Sequence, residues 1–233
     1  MLNMEGLLIE TADAVNIQLS QPQIKKFISY YNLLTEWNNK INLTAITDFG
    51  DVVKKHFIDS LAASKYISNG QTLIDIGSGA GFPGVPLKIY NESLAVTLLD
   101  SLNKRIIFLD EVIKGLNLTN TKAVHLRAED AACEKQFRQS FDVVCSRAVA
   151  KLNILCEYCL PFVKLGGKFI AYKGREDETD TAKKAIKILG GEIEKIDEFN
   201  LFDFSRKLIV IKKVKNTPLE FPRQSAKIKL KPL

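Results

Sequence analysis

Residues 73–84 read Leu-Ile-Asp-Ile-Gly-Ser-Gly-Ala-Gly-Phe-Pro-Gly, an apolar run that ends in an acid and runs on into four glycines. A buried parallel strand ends in this way when the loop after it must let a ligand touch the main chain. A residue without Cβ can take φ > 0 and leaves the backbone approachable. A helix starting at the end of such a loop turns its first N–H groups toward the same place. The chain is therefore expected to carry a parallel sheet with a ligand at the carboxyl end of one strand.

From residue 72 onward, short apolar runs alternate with longer amphipathic ones. Candidate strands are 72–76, 95–99, 121–125, 141–145 and 167–172, with helical stretches such as 101–116 and 179–189 between them. Strand, helix, strand at this spacing predicts a parallel sheet covered on both faces. Two further runs, 192–199 and 207–214, follow each other without a helix and are expected to pair as an antiparallel hairpin. The first 70 residues read as helices. Leu7, Leu8, Ala12 and Val15 form one stripe, and Ser20-Gln-Pro-Gln23 is a capping-box pattern. After it Ile24, Phe27, Ile28, Tyr31 and Leu34 recur at threes and fours. A third helix is predicted over 51–66, with Val53, Phe57 and Leu61 on one face. The expected divisions are a helical extension over 1–70, an α/β core over 71–214 and a basic tail over 215–233.

Two nucleotide cofactors suit the loop. Gly79-Ala-Gly81-Phe-Pro-Gly84 matches the dinucleotide fingerprint, and Asp100 lies 21 residues beyond Gly79. Read from Asp75, the segment is Asp-x-Gly-x-Gly-x-Gly, the opening loop typical of S-adenosylmethionine methyltransferases. The second reading also accounts for Asp75, a carboxylate that could take the amino group of an amino-acid ligand. Five parallel strands followed by a hairpin is the ordering of a Rossmann-like class I methyltransferase, whereas a dinucleotide dehydrogenase more often shows a second βαβ half.

Each strand end offers candidates. The first gives Asp75 and the glycines Gly77, Gly79 and Gly81, with Ser78 between them, for the cofactor. The second ends in Asp100, placed to accept ribose hydroxyls and also suited to cap a helix starting at Ser101. After the third come Glu129 or Asp130, with the backbone, for an adenine amino group. The fourth ends in Cys145-Ser146-Arg147, where a methyltransferase places the atom to be methylated. An Asn/Asp-Pro-Pro-Tyr segment is absent there. Arg147 stays protonated and cannot act as a base, but it can clamp guanine O6 and N7, a phosphate or a carboxylate. The fifth ends in Tyr172-Lys173-Gly174-Arg175, another cationic rim. Arg147 and Lys173 are the expected catalytic residues, acting by position, because no general base is apparent. A ring nitrogen with a free lone pair, such as guanine N7, needs no proton removed before attack.

Charge marks the tail. From Lys212 to the C-terminus there are seven basic residues and one acid, which accounts for the whole formal net charge of +6. Lys212, Lys213, Arg223, Lys227, Lys229 and Lys231, together with Lys173, are expected to meet nucleic-acid phosphates. Of the four cysteines only Cys156-Glu-Tyr-Cys159 has ligand-like spacing, and it lacks further partners. The pair reads as small core residues three apart on a helix, so no metal is expected. No run reaches the ~18 apolar residues of a membrane span. The first ten residues lack a basic n-region, so the expected compartment is the cytoplasm.

Several segments together resemble one family, the small-subunit ribosomal RNA guanine-N7 methyltransferases (RsmG, also called GidB). They are Trp37-Asn-Asn-Lys-Ile-Asn-Leu-Thr44, His56-Phe-Ile-Asp-Ser-Leu61, the glycine loop running on as Phe82-Pro-Gly-Val-Pro86, Arg127-Ala-Glu129, Ser146-Arg-Ala148 and Phe221-Pro-Arg223. The resemblance implies methylation of a guanine N7 in 16S ribosomal RNA with S-adenosylmethionine as cofactor, and ribosomal RNA or the small ribosomal subunit as partner. It implies that Gly77, Phe82, Ala128, Glu129 and Arg147 line the cofactor pocket. Phe82 and Phe221 stand where the family often has Leu and Tyr. The roles of Trp37, Asn42 and His56 stay open. An NAD-dependent oxidoreductase and a non-catalytic RNA-binding assembly factor are the rival readings.

Overall fold

The structure, a computed structural model, describes residues 3–147, 149–174 and 178–233. Arg175 and Ala148, named above, lie outside the described residues. Helices α1 (Met4–Asp13) and α2 (Gln21–Ile41) open the chain. At the start of α2, Gln23 Oε1 accepts from Ser20 N at 2.8 Å, the reach-back that the capping box predicts. At its end, Asn42 caps the helix in the left-handed region at φ 47°, and Asn38 Oδ1 accepts from the backbone of Leu43 and Thr44. Asparagine tolerates both tasks because its short side chain bonds locally. Trp37 packs on Phe108, ring centroids 5.9 Å apart.

The single helix predicted over 51–66 is broken. It consists of α3 (Phe49–Val52), a π-helical turn over Val53–Ile58, α4 (Asp59–Leu61) and a 3₁₀ turn over Ser64–Tyr66. Then follow β1 (Thr72–Ile76), α5 (Gly84–Tyr90), β2 (Ala95–Asp100), α6 (Asn103–Gly115), β3 (Thr121–His125), α7 (Ala128–Ala131), β4 (Phe141–Arg147) and α8 (Leu152–Cys159). The chain ends with β5 (Val163–Lys173), α9 (Thr179–Ile188), β6 (Gly191–Leu201), β7 (Phe204–Lys213) and α10 (Ser225–Leu230).

The seven strands form one sheet in the order β3-β2-β1-β4-β5-β7-β6. The first five are parallel; β7 runs antiparallel to both β5 and β6, as the hairpin predicts. Strand residues alternate between the faces. Leu73, Leu98, Val143 and Ile170 join Leu8, Phe27, Tyr30 and Leu34 of the N-terminal helices in one core. Ile74, Leu99, Val144 and Phe169 join α8 and α9 in the other. Each such side chain fully buried is worth about 1.5–3 kcal/mol, so α1 and α2 are held by the sheet rather than by their own propensity. Cys156 and Cys159 are buried in the second core.

The basic tail over 215–233 packs against the rest of the chain. Phe221 and Ile228 sit in the second core. Arg223 pairs with the fully buried Glu157, its Nε 2.7 Å from Oε1 and Nη2 2.6 Å from Oε2, and its backbone N–H also donates to Oε1 at 2.9 Å. A buried carboxylate needs such partners. Among the described residues, no helix is long and apolar enough to cross a membrane, and no group of three or more His, Cys, Asp or Glu side chains could hold a metal.

Candidate active site

A cavity of about 510 Å³ opens at the carboxyl ends of β1, β2 and β4, the position that parallel sheets of this kind use for ligands. The glycine loop forms its floor. Gly77 and Gly79 take φ of 73° and 59°. A Cβ on Gly77 would come within 2.7 Å of Val149 Cγ2, whereas one on Gly79 would meet nothing nearer than a carbonyl at 3.9 Å. The space before Gly79 is thus open for a ligand. Gly81 faces away: its Cβ would lie 2.7 Å from the Tyr30 hydroxyl. That hydroxyl donates to the Ala80 carbonyl, so α2 braces the loop from behind. The expectation that Gly81 contacts the cofactor is corrected, since it serves close packing.

Six of the loop's N–H groups are already engaged. Gly77 and Ser78 donate to Leu99 O, Gly79 to Asp100, Gly81 and Phe82 to Ser78 O, and Gly84 to Asp75. A pyrophosphate needs such donors free and positive. Here four of them meet the Leu99 and Ser78 carbonyls and two meet carboxylates, which disfavours the dinucleotide reading. Asp75 is wholly buried beneath the loop, with Oδ2 2.9 Å from Gly84 N and Oδ1 unpartnered. It does not line the cavity, so its expected contact with a ligand amino group is corrected to holding the loop. Burial above all pushes its pKa up to about 7, against the lowering influence of Gly84 N and Arg147.

Asp100 closes β2 and lines the cavity. Its Oδ2 accepts from Gly79 N at 2.9 Å and Arg105 Nη1 at 3.2 Å, and its Oδ1 from Leu102 N at 2.9 Å. It does not cap a helix at Ser101, because α6 starts at Asn103. Of the acids after β3, Glu129 lines the cavity with Ala128; Ile76, Leu99 and Leu126 supply apolar walls. These features fit an adenosyl group: an apolar slot for the base, acids for hydroxyl and amino donors, and open backbone in front of Gly79. Glu129, Ala128, Asp100, Gly77, Ser78, Gly79 and Phe82 are the residues that could hold it.

A second cavity, of about 680 Å³, adjoins the first and shares His56 and Arg147 with it. The π-helical turn matters here. One extra residue per turn shifts the helix face, and His56 lies with its ring on Phe82 at 4.5 Å. Both imidazole nitrogens are engaged. Nδ1 is 3.0 Å from Lys55 O and 3.3 Å from Arg147 Nη2, and Nε2 is 2.9 Å from Thr44 Oγ1. Burial first, then the Arg147 charge, push its pKa down to about 4, so the ring is neutral at pH 7. Arg147 lies over the Phe82 ring at 5.0 Å, and its Nη1 donates to Asp59 Oδ2 at 2.9 Å and Lys55 O at 3.1 Å. Asp59, 3% exposed, also accepts from Arg206 Nε at 2.7 Å. Asp59 and Arg206 escaped the sequence reading because they lie 147 positions apart and only the fold joins them.

Three residues expected to meet phosphates are engaged within the protein, although Lys173 also lines the second cavity. Lys173 donates to Ala150 O at 2.7 Å and pairs with Glu178 at 2.8 Å, with only 11% of its side chain exposed. Lys213 is 1% exposed and donates to the Leu160 and Leu189 carbonyls and to Thr217 Oγ1. Arg223 is held by Glu157 as described. Lys212, Lys227, Lys229 and Lys231 are exposed, and Lys229 also borders the first cavity.

The fold is shared with solved structures at low identity. The cyclase SpnF matches with a TM-score of 0.58 and 13% identity over 79% of this chain and 94% of its own. The TYW2 protein of P. horikoshii, solved with MeSAdo, matches at 0.54 and 15% over 67% and 61%. Sequence relatives are much nearer. The ribosomal RNA small subunit methyltransferase G of Clostridium botulinum strain Alaska E43 is 50% identical over 97% of this chain and 98% of its own. That of Acetivibrio thermocellus is 50% identical over 100% and 98%. The family described as GidB, rRNA small subunit methyltransferase G, matches residues 23–208. The match runs from the bracing helix α2 through the glycine loop to β7, and it makes this chain a member of the GidB family of rRNA small subunit methyltransferases G.

Proposed function

We propose that the protein transfers a methyl group from S-adenosylmethionine to N7 of a guanine in 16S ribosomal RNA, in the cytoplasm, on RNA or the small ribosomal subunit. Bound in the first cavity, the cofactor would supply an electrophilic methyl group on a positively charged sulfur. In this reading Asp100 takes the ribose, Glu129 and Ala128 the adenine, and the loop from Gly77 to Gly79 the chain leading to sulfur. The second cavity receives the nucleotide.

The observation that carries the N7 reading is the lack of a base among the described residues where the cavities meet. His56 has both nitrogens engaged and a depressed pKa. Asp59 is held between two guanidinium groups, and Glu178 is paired with Lys173. Attack by an exocyclic amine or a carbon would need a proton taken away; a ring nitrogen needs only alignment. Alignment can supply on the order of 7–11 kcal/mol of barrier reduction. Arg147, fixed by Asp59 and Phe82, suits bidentate contact with the guanine edge or its phosphate.

The test is transfer of tritium from labelled S-adenosylmethionine to small subunits, and separately to 16S RNA, from cells lacking the protein, followed by mapping of the base. N7-methylguanine at one position is expected. Label on an exocyclic amine or carbon, or none on either substrate, overturns the reading.

A further inference from the structure

The tail reaches the first cavity. Tyr158, Ser225 and Lys229 border it together with Ala128 and Glu129. The Tyr158 and Ser225 hydroxyls lie 2.7 Å apart, which ties the start of α10 to α8. Burial and the nearby Glu129 and Glu157 carboxylates push the Tyr158 phenol pKa up, against the Ser225 bond and Arg127. The Tyr158–Ser225 pair therefore stands beside Glu129, the acid assigned to adenine. The anchor behind it is strong: Glu157, the residue before Tyr158, holds Arg223, two residues before Ser225, and Arg223 Nη1 donates to the Lys231 carbonyl at 3.1 Å. Ile228 is fully buried under the helix, so α10 is clamped at both ends and beneath.

We infer that the C-terminal segment is a wall of the cofactor site, with Ser225 and Lys229 contacting the adenosyl end of a bound nucleoside ligand. The inference rests on the adenosyl reading of the cavity. It reassigns Lys229 from phosphate binding, while Lys227 and Lys231 remain on the outer side. A hydroxyl and an ammonium there complement the acceptor nitrogens of a purine, which Glu129 cannot satisfy because an ionised carboxylate only accepts.

The probes are S-adenosylhomocysteine and 5′-methylthioadenosine, titrated calorimetrically into the full chain without RNA. In Ser225→Ala/Lys229→Ala, both ligands are expected to bind about tenfold more weakly, the loss of one or two modest hydrogen bonds. In Lys227→Ala both bind as in the wild type. In Lys229→Ala alone, which keeps the Tyr158–Ser225 bond, both ligands are still expected to bind more weakly with the unliganded melting temperature at the wild-type value, because Lys229 is exposed. Wild-type affinity in the double variant, weakening for S-adenosylhomocysteine alone, or a fall in the unliganded melting temperature of Lys229→Ala overturns the assignment. Failure of the wild type itself to bind either ligand sinks the adenosyl reading instead.

Discussion

Arg147 is the residue on which the two cavities hinge. Its guanidinium touches the Asp59 carboxylate, the Lys55 carbonyl and the face of Phe82 at once. A planar fork can hold three such partners and still offer an edge to substrate, whereas an ammonium is a point donor. Arg147→Lys is therefore expected to lower the single-turnover methyl-transfer rate about 10²–10³-fold, the usual cost of one misplaced preorganised donor. Wild-type turnover would show that the guanidinium is only structural. Two neighbours carry opposite pH signatures. The pKa of Asp75 is raised from 3.8 to about 7 in the fold, so its stabilising contribution is full below 3.8 and is lost as pH rises through 7. The pKa of His56 is lowered from 6.5 to about 4, so its contribution is full above 6.5 and is lost as pH falls through 4. Between about 4 and 6.5 the two oppose each other. Asp75→Asn removes one side, so its melting temperature is expected to climb with pH across that range more steeply than the wild type's. A parallel pair of curves would mean that Asp75 is ionised in the fold.

At the scale of elements, the Glu157–Arg223 pair decides whether α10 stays docked. Arg223→Ala leaves a carboxylate buried with two of its three donors gone, and breaking a buried pair costs about 3–5 kcal/mol. The variant should melt well below the wild type at any salt concentration, and Glu157→Gln/Arg223→Met should recover part of the loss. Equal melting of Arg223→Ala and wild type would return Arg223 to the role of a surface cation. The sequence marks Arg223 as basic, yet nothing local says that its partner sits 66 residues upstream. The same holds for Lys213, whose ammonium meets carbonyls of Leu160 and Leu189 that only folding brings near. Local patterns were readable because they obey local physics: short apolar runs marked β1 and β2, the capping box started α2, and the glycines announced the loop. The π-helical turn at Val53–Ile58 was not readable. Its apolar spacing fits an ordinary helix, and the turn's His56 has partners, Thr44 and Arg147, that only the fold supplies. Asp75 was legible as a strand-end acid, but only the path of Gly84 over it shows that it serves the loop.

For the whole molecule, the question is which part of the formal +6 charge meets RNA. Counting from sequence credits the tail with all of it. In the structure, Lys213 is buried and Arg223 is neutralised, so the outward field of that region rests on Lys212, Lys227 and Lys231 with Lys215. Each lysine that meets a phosphate releases counterions, and the logarithm of RNA affinity falls with the logarithm of salt by about 0.7–0.9 per contact. Lys227→Ala/Lys231→Ala is thus expected to flatten that slope by about 1.4–1.8, weakening binding most at low salt. Lys213→Met should leave the slope unchanged, because an ammonium enclosed by Leu160, Leu189 and Thr217 cannot reach a phosphate without unfolding the end of β7. A flatter slope in Lys213→Met would mean that the tail lifts off the sheet to grip RNA. In that case the docked α10 would be a resting state and not the bound one.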